Sequence, residues 1–315
     1  MKIVKQYKIK RSAVLYYLLM ISLLPPIINA EEPIIAHTFS ITGYDDKTGD
    51  IGIAVATKLP AVGMYVPFVK ARVGAIASQA IVNPKFGPYA LELMEKGLTA
   101  QQVKEKLIES DPDIDDRQFM IVDTKGNVAG FTGKRNSAYC NDIEGNHFGV
   151  AGNLLVNKET LESAYSTFTS TPGDLADKLL AALEAGEKAG GDKRGKQSAA
   201  ILVMRPGAYF NDKLVALRVD DNKEPIKELR RIFNVYMTTF LHRPGYRKVK
   251  LGDRGNDIVN LQKLLVTRKF LSGMATGTFD KDTYNAIKQF QKKMGLKISG
   301  QPDYLTVVEL HNYNP

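Results

Sequence analysis

Apolar and polar positions alternate along the start of the chain. Phe39 and Ile41 flank Ser40 and Thr42, and Ile51, Ile53 and Val55 recur against small residues beyond the turn Asp45-Asp46-Lys47-Thr48-Gly49, which predicts a hairpin over residues 38–56. A third strand is expected at Val73–Ile81, then helices near Tyr89–Gly97 and Ala100–Glu109, the second opened by Thr99-x-x-Gln102 as a capping box. Phe119–Asp123 and Val128–Thr132 read as a hairpin across Lys125-Gly126-Asn127, and Phe148–Val156 as a further strand. Helices follow at about 158–168 and 174–189, strands at Ser198–Met204 and Leu214–Val219, and a closing helix from Pro225. Strand groups thus alternate with helix pairs. Two packed sheets with helices outside, a four-layer αββα sandwich of α+β class, satisfy this order. The small residues Gly52, Ala54, Ala56, Ala75 and Ala77 are expected where sheet meets sheet. A doubly wound parallel sheet would need single helices between strands and a glycine-rich phosphate loop, and the sequence has neither.

The pattern changes near the end. His242 to Lys248 lacks apolar periodicity and reads as a linker, assigned to 242–249, between a large domain at 34–241 and a small one at 250–315. Ile258, Leu261 and Leu265 recur at helical spacing, Gly273 and Gly277 interrupt, and Asp280 caps a second helix bearing Tyr284, Ile287, Phe290 and Met294. Gly295 closes that helix, and Pro302 to Leu310 supplies a third. Three short helices around one core result.

Composition adds a destination. The 315 residues carry a formal charge of +9, but Lys2, Lys5, Lys8, Lys10 and Arg11 precede any acidic residue. Without residues 1–30 the balance is 38 basic against 34 acidic residues, with no basic stripe interleaved with aromatics, so nucleic acid is not an expected partner. The basic start, the uncharged run Ser12–Ile28 and the end Ile28-Asn29-Ala30 predict a secretory signal peptide over 1–30. An uncleaved anchor is the alternative, though Pro25 and Pro26 suit cleavage better than a span, and either reading puts the remainder outside the cytoplasm. Cys140 is the only cysteine, so stability must come from packing rather than a disulfide, and a lone thiol is a weak nucleophile signal.

The tail, over about residues 250–311, resembles the peptidoglycan-binding domain found at the ends of wall hydrolases. The matching features are Gly252-x-x-Gly255, Leu261-Gln262, Leu264/Leu265, Phe270-Leu271, Gly277-x-Phe279, Thr283, Ala286, Phe290-Gln291 and Gly295-Leu296; Ser299-Gly300 departs from the family's frequent Asp-Gly. The resemblance implies peptidoglycan or another wall polymer as partner. Gln262, Tyr284 and Gln291 are candidates to line a wall-facing groove, or are plain helix surface.

From about Thr38 to Phe233 the chain resembles the DUF1028 family, grouped with Ntn-hydrolase-like folds. The resemblance rests on Thr38-Phe39-Ser40-Ile41, Gly52-x-Ala54-Val55-Ala56, Ala61-Val62-Gly63, Val73 to Gln79, Asn83-Pro84-x-x-Gly87-Pro88, Gly152-Asn153 and Gly190 to Ala199. It implies no cofactor. An Ntn hydrolase attacks with the side chain of its first residue, using that residue's α-amine, of pKa near ~8, as base. Thr38 is the candidate nucleophile and Lys70 its electrostatic support, with Ser78, Gln79 or Asn153 near an oxyanion hole. Signal cleavage after Ala30 leaves Glu31 to His37 ahead of Thr38, so a free amine there requires a second cut; otherwise Thr38 is an ordinary strand residue. Asp192, Arg194 and Gln197 lie on a loop that is either solvated surface or a site where Arg194 forks onto a substrate carboxylate with Asp192 orienting it, and the segment from Asn83 to Pro88 forms either a facing wall or simply a rigid turn. Four histidines with no HExxH, and no GxSxG, disfavour a zinc amidase and a serine elbow. The activity expected is hydrolysis of a peptide or amino-acid-like amide at the wall; the alternative is non-catalytic binding on the same scaffold. The sequence leaves the oligomeric state open.

Overall fold

The computed structural model describes residues 35–136 and 139–315, so the signal-peptide expectation lies outside the described residues. Among the described residues, eleven strands build two antiparallel sheets. β1 (Ile35–Ala36), β4 (Pro67–Lys70), β5 (Gly74–Ile81), β6 (Arg117–Asp123) and β7 (Val128–Thr132) form the first, with β1 and β4 sharing one edge of β5. The second runs β11-β10-β3-β2-β9-β8, comprising β2 (Thr38–Asp45), β3 (Asp50–Thr57), β8 (Tyr139–Glu144), β9 (Phe148–Leu155), β10 (Ser198–Met204) and β11 (Lys213–Val219).

Helices α1 (Phe86–Glu95) and α2 (Ala100–Ser110) cover the first sheet, and α3 (Glu159–Ser170), α4 (Leu175–Ala189) and α5 (Pro225–Thr239) cover the second. The Thr99–Gln102 capping box forms as expected. The layers are therefore αββα. One expectation is corrected in part. Ala75 and Ala77 do face the opposite sheet, but Ala54 and Ala56 lie beneath α4, and β3 turns Ile51, Ile53 and Val55 inward instead. Strand parity decides this, since alternate residues share a face and small ones let a helix approach as readily as a sheet.

The tail consists of α6 (Asn256–Thr267), α7 (Lys281–Lys293) and α8 (Tyr304–Asn312) around Ile258, Leu261, Leu265, Phe279, Ile287 and Phe290. Asp280 accepts from the Thr283 amide at 2.7 Å as the expected cap, and Gly295 takes φ +67 just past α7. Residues 242–249 are packed rather than loose. The Tyr246 hydroxyl donates to Asp177 at 2.8 Å, and Arg243 pairs with Asp174. From α8, the Tyr304 hydroxyl donates to the Pro172 carbonyl at 2.8 Å. Gly173 makes room for that contact: a Cβ there would fall 1.9 Å from the tyrosine oxygen, and its φ is +96.

Candidate functional site

β2 carries two kinds of residue. Phe39 and Ile41 pack under the helices, while Thr38, Ser40 and Thr42 face the other sheet, where an apolar strand would be expected to continue the core. Buried polar groups usually have hydrogen-bond partners; here Thr42 Oγ1 has none, Thr38 bonds a backbone carbonyl, and Ser40 joins a network of buried amides. Ser40 donates to Gln79 Oε1 at 2.8 Å, Gln79 Nε2 donates to Gln118 Oε1 at 2.8 Å, and Asn153 Nδ2 donates to the same oxygen at 2.8 Å. Gln118 Nε2 in turn donates to the carbonyls of Gly152 and Asn141, at 2.9 and 3.1 Å. Those carbonyls can only accept, which orients the amide of Gln118 and, through it, those of Gln79 and Asn153. Asn153 Oδ1 is then an acceptor, so the His37 ring, 2.8 Å away, donates through Nδ1–H.

The peptide joining His37 to Thr38 lies at the end of this network. The His37 carbonyl oxygen accepts from Arg194 Nη2 at 2.7 Å and from Thr57 Oγ1 at 2.5 Å. Thr57 stands opposite Thr38 in the β2–β3 register, which is why its hydroxyl reaches that oxygen. Arg194 is held by Asp192 through a fork of 3.1 and 2.7 Å, and Asp192 is itself buried and fixed by the Lys58 amide at 3.0 Å. The Thr38 hydroxyl is buried and donates to the Ala36 carbonyl at 2.7 Å. It is therefore occupied by the segment that precedes it.

Two backbone outliers border the network. Ala80 and Leu154 have φ of 71 and 52, and each directly follows a buried amide, Gln79 or Asn153. Left-handed non-glycine residues cost about 1–3 kcal/mol each and gather at functional sites. Leu154 also accepts from the Lys193 amide, so its bend ties the arginine loop to β9.

The expected residues divide cleanly. Thr38, Gln79, Asn153, Asp192 and Arg194 come together, and Ser78 is buried in the adjoining part of β5. Lys70 does not join them. It is half exposed at the end of β4, and its ammonium pairs with Glu95 of α1 on the surface. Asn83 donates to Asp111 at 2.8 Å and accepts from the Lys85 amide, bracing a turn. The Gln197 side chain donates to Asp221 at 3.2 Å, and only its backbone serves the site, by pairing with Thr57. Cys140 has its thiol pKa raised by burial and then by Asp142, which disfavours a thiolate. Sequence reasoning missed Thr57, His37 and Gln118; the one available signal was a polar residue ending or opening an otherwise apolar strand.

In the tail, Gln262 and Gln291 are buried and fully used, which corrects their placement in a groove. Gln262 accepts from the Gly277 amide at 2.8 Å and donates to the Thr278 carbonyl at 2.9 Å and to Thr283 Oγ1 at 2.9 Å. Gln291 repeats the pattern with the Gly300 amide, the Gln301 carbonyl and Thr306 Oγ1, at 2.9, 3.0 and 3.0 Å. Tyr284 is partly buried, with Lys288 5.5 Å from its ring centre.

Two antiparallel sheets clasped between helices, with a threonine leading a central strand, define an αββα sandwich, followed by a small three-helix module. The chain belongs to the DUF1028 family, described as a "family of unknown function", whose profile matches residues 38–229. Residues 254–310 match the profile described as "Putative peptidoglycan binding domain". Among solved structures, protein SPO2555 from Silicibacter pomeroyi, also a DUF1028 protein, is 30% identical with a TM-score of 0.60, over 65% of this chain and 91% of that one. The N-terminal domain of SleB is 32% identical over 21% of this chain and 90% of that one, with a TM-score of 0.20. No curated protein matches the chain.

Proposed function

We propose that this is an exported, wall-associated amide hydrolase of the Ntn type, with Thr38 as nucleophile once the residues through His37 are removed. The observation that carries the reading is the clamp on the His37 carbonyl. Two donors on one carbonyl oxygen, one of them a guanidinium fixed by a buried carboxylate, form the arrangement that stabilises an oxyanion. The bond held there is the one whose cleavage would free the Thr38 amine.

Self-cleavage proceeds by addition of Thr38 Oγ1 to the His37 carbonyl carbon. The C–N bond breaks, the nitrogen takes the hydroxyl proton, and the resulting ester is hydrolysed by water to a His37 carboxylate and a free Thr38. In turnover, the Thr38 α-amine takes the hydroxyl proton as Oγ1 attacks a substrate amide and passes it to the departing amine. Water then releases the acyl group as a carboxylic acid. Arg194 and Thr57 donate to the oxyanion in both reactions, and Asp192 positions Arg194. Asn153, Gln79 and Gln118 hold the clamp's surroundings in one hydrogen-bonded state. The peptidoglycan-binding domain supports retention at a wall polymer.

N-terminal mass spectrometry of the protein purified from its host tests this. A terminus at Thr38, lost in Thr38→Ala, is expected. A terminus at Glu31 in the wild type favours the second reading, a binding protein in which the buried, hydrogen-bonded Thr38 hydroxyl is structural.

A further inference from the structure

The three residues ahead of Thr38 pack against the sandwich much as a bound ligand would. Ile35 and Ala36 form an added strand on β5, paired antiparallel with Ile81 and Ala80, on the stretch of that edge left free by β4. Ala36 is wholly buried in the apolar cluster that includes Val55, Val62, Val66 and Ala77, whereas Ile35 is 45% exposed. The His37 ring meets the buried Asn153 amide, and its carbonyl lies on the Arg194–Thr57 clamp. Main-chain pairing at a sheet edge, with pockets for alternate side chains, is how proteins take up extended peptides.

We infer that this leader is a built-in picture of the substrate's acyl side. The substrate is an extended peptide, with a small apolar residue two places before the cut amide and a hydrogen-bonding side chain immediately before it. The inference rests on the hydrolase reading and adds to it the class of substrate. Each feature has its own cause. The added strand requires a peptide backbone, since a simple acylated amine offers β5 nothing to pair with. The second position is restricted because Ala36 is fully buried in a cluster with members from both sheets, where a larger branched residue would have to displace packed neighbours. The first position is selective because Asn153 Oδ1 has its orientation fixed from behind and would be left without a donor beside an apolar side chain. Ala80, directly opposite Ala36, holds a left-handed φ of 71 at the point where the added strand docks.

The test uses the full chain as purified, after its N-terminus has been read by mass. Three 4-nitroanilides are compared by release of 4-nitroaniline: acetyl-Ile-Ala-His, acetyl-Ile-Leu-His and acetyl-Ile-Ala-Leu. Turnover of the first is expected, with kcat/KM lower by at least about 10-fold for each leucine-bearing analogue. Asn153→Leu should remove the preference between His and Leu at the last position while leaving the preference for Ala over Leu before it. A Thr38 terminus with no turnover of any peptide, or with all three within about 3-fold, overturns the substrate inference and leaves the hydrolase reading standing. A chain that keeps Glu31 and turns over none of them removes both.

Discussion

Arg194 and Thr57 act on a single oxygen, so their separate loss should be visible in a single rate. Removing one donor from an oxyanion hole typically costs about 10²–10³ in rate. Thr57→Val keeps the shape of the side chain and deletes its donor. It should slow the appearance of the Thr38 terminus by about that factor in a time course of intact mass, with thermal stability close to wild type. Arg194→Ala should be at least as slow, and Arg194→Lys should recover little, because an ammonium cannot reproduce the forked bond to Asp192. At this scale the sequence was partly legible. Thr38, Asp192 and Arg194 stood out as a strand head and a charged glycine loop. Thr57 and His37 did not, because their importance comes from register and from 137- and 157-residue separations in sequence from Arg194. Lys70 shows the opposite error. The resemblance implies a lysine supporting Thr38, but β4 belongs to the first sheet and ends at the surface, where Lys70 pairs with Glu95.

The elements themselves follow the alternation closely, since a half-buried strand and an amphipathic helix write their period into the chain. Ser198–Met204 is found at the expected bounds, and the Thr99 and Asp280 caps form. β4 and β8 carry no strand signature in the sequence: Pro67-Phe68-Val69-Lys70 is short and opens with proline, and Tyr139–Glu144 has Ile143 as its one aliphatic residue among Asn141, Asp142 and Glu144. The tail holds a repeat that the pattern of apolar positions does not reveal. Asp280-x-x-Thr283 and Asp303-x-x-Thr306 each cap a helix, and each threonine receives a buried glutamine from the preceding helix. Gln262→Leu would leave the Gly277 amide and the Thr278 carbonyl without this partner, at a cost of about 1–3 kcal/mol for each group left unsatisfied. Thermal unfolding should show that loss. If these glutamines instead served the wall, the substitution would weaken pull-down by insoluble peptidoglycan with no change in melting temperature.

Across the whole molecule, the seam between sandwich and tail has a titration of its own. Burial raises the Asp177 carboxyl to about 6, against an ordinary value of 3.8, with Asp174 adding to the rise and Tyr246, Arg230 and Arg243 opposing it. The folded state therefore favours the protonated acid, and its contribution to stability is present below about pH 4 and lost as pH rises through about 6. The span corresponds to roughly 3 kcal/mol. Asp177→Asn retains an acceptor for the Tyr246 hydroxyl and removes the charge. It should be more stable than wild type at pH 7.5, and its denaturation midpoint should be flatter between pH 4 and 6. The tight fit at Gly173 has a further implication for how the protein works at a surface. A tail seated on the sandwich through Tyr246, Tyr304 and Arg243 behaves as a bracket rather than a leash, fixing both the distance and the angle between the Arg194–Thr57 clamp and whatever the tail grips. Under the proposed hydrolase reading, substrate would be presented at that fixed stand-off, and lengthening residues 242–249 would change which bonds come within reach without altering either domain.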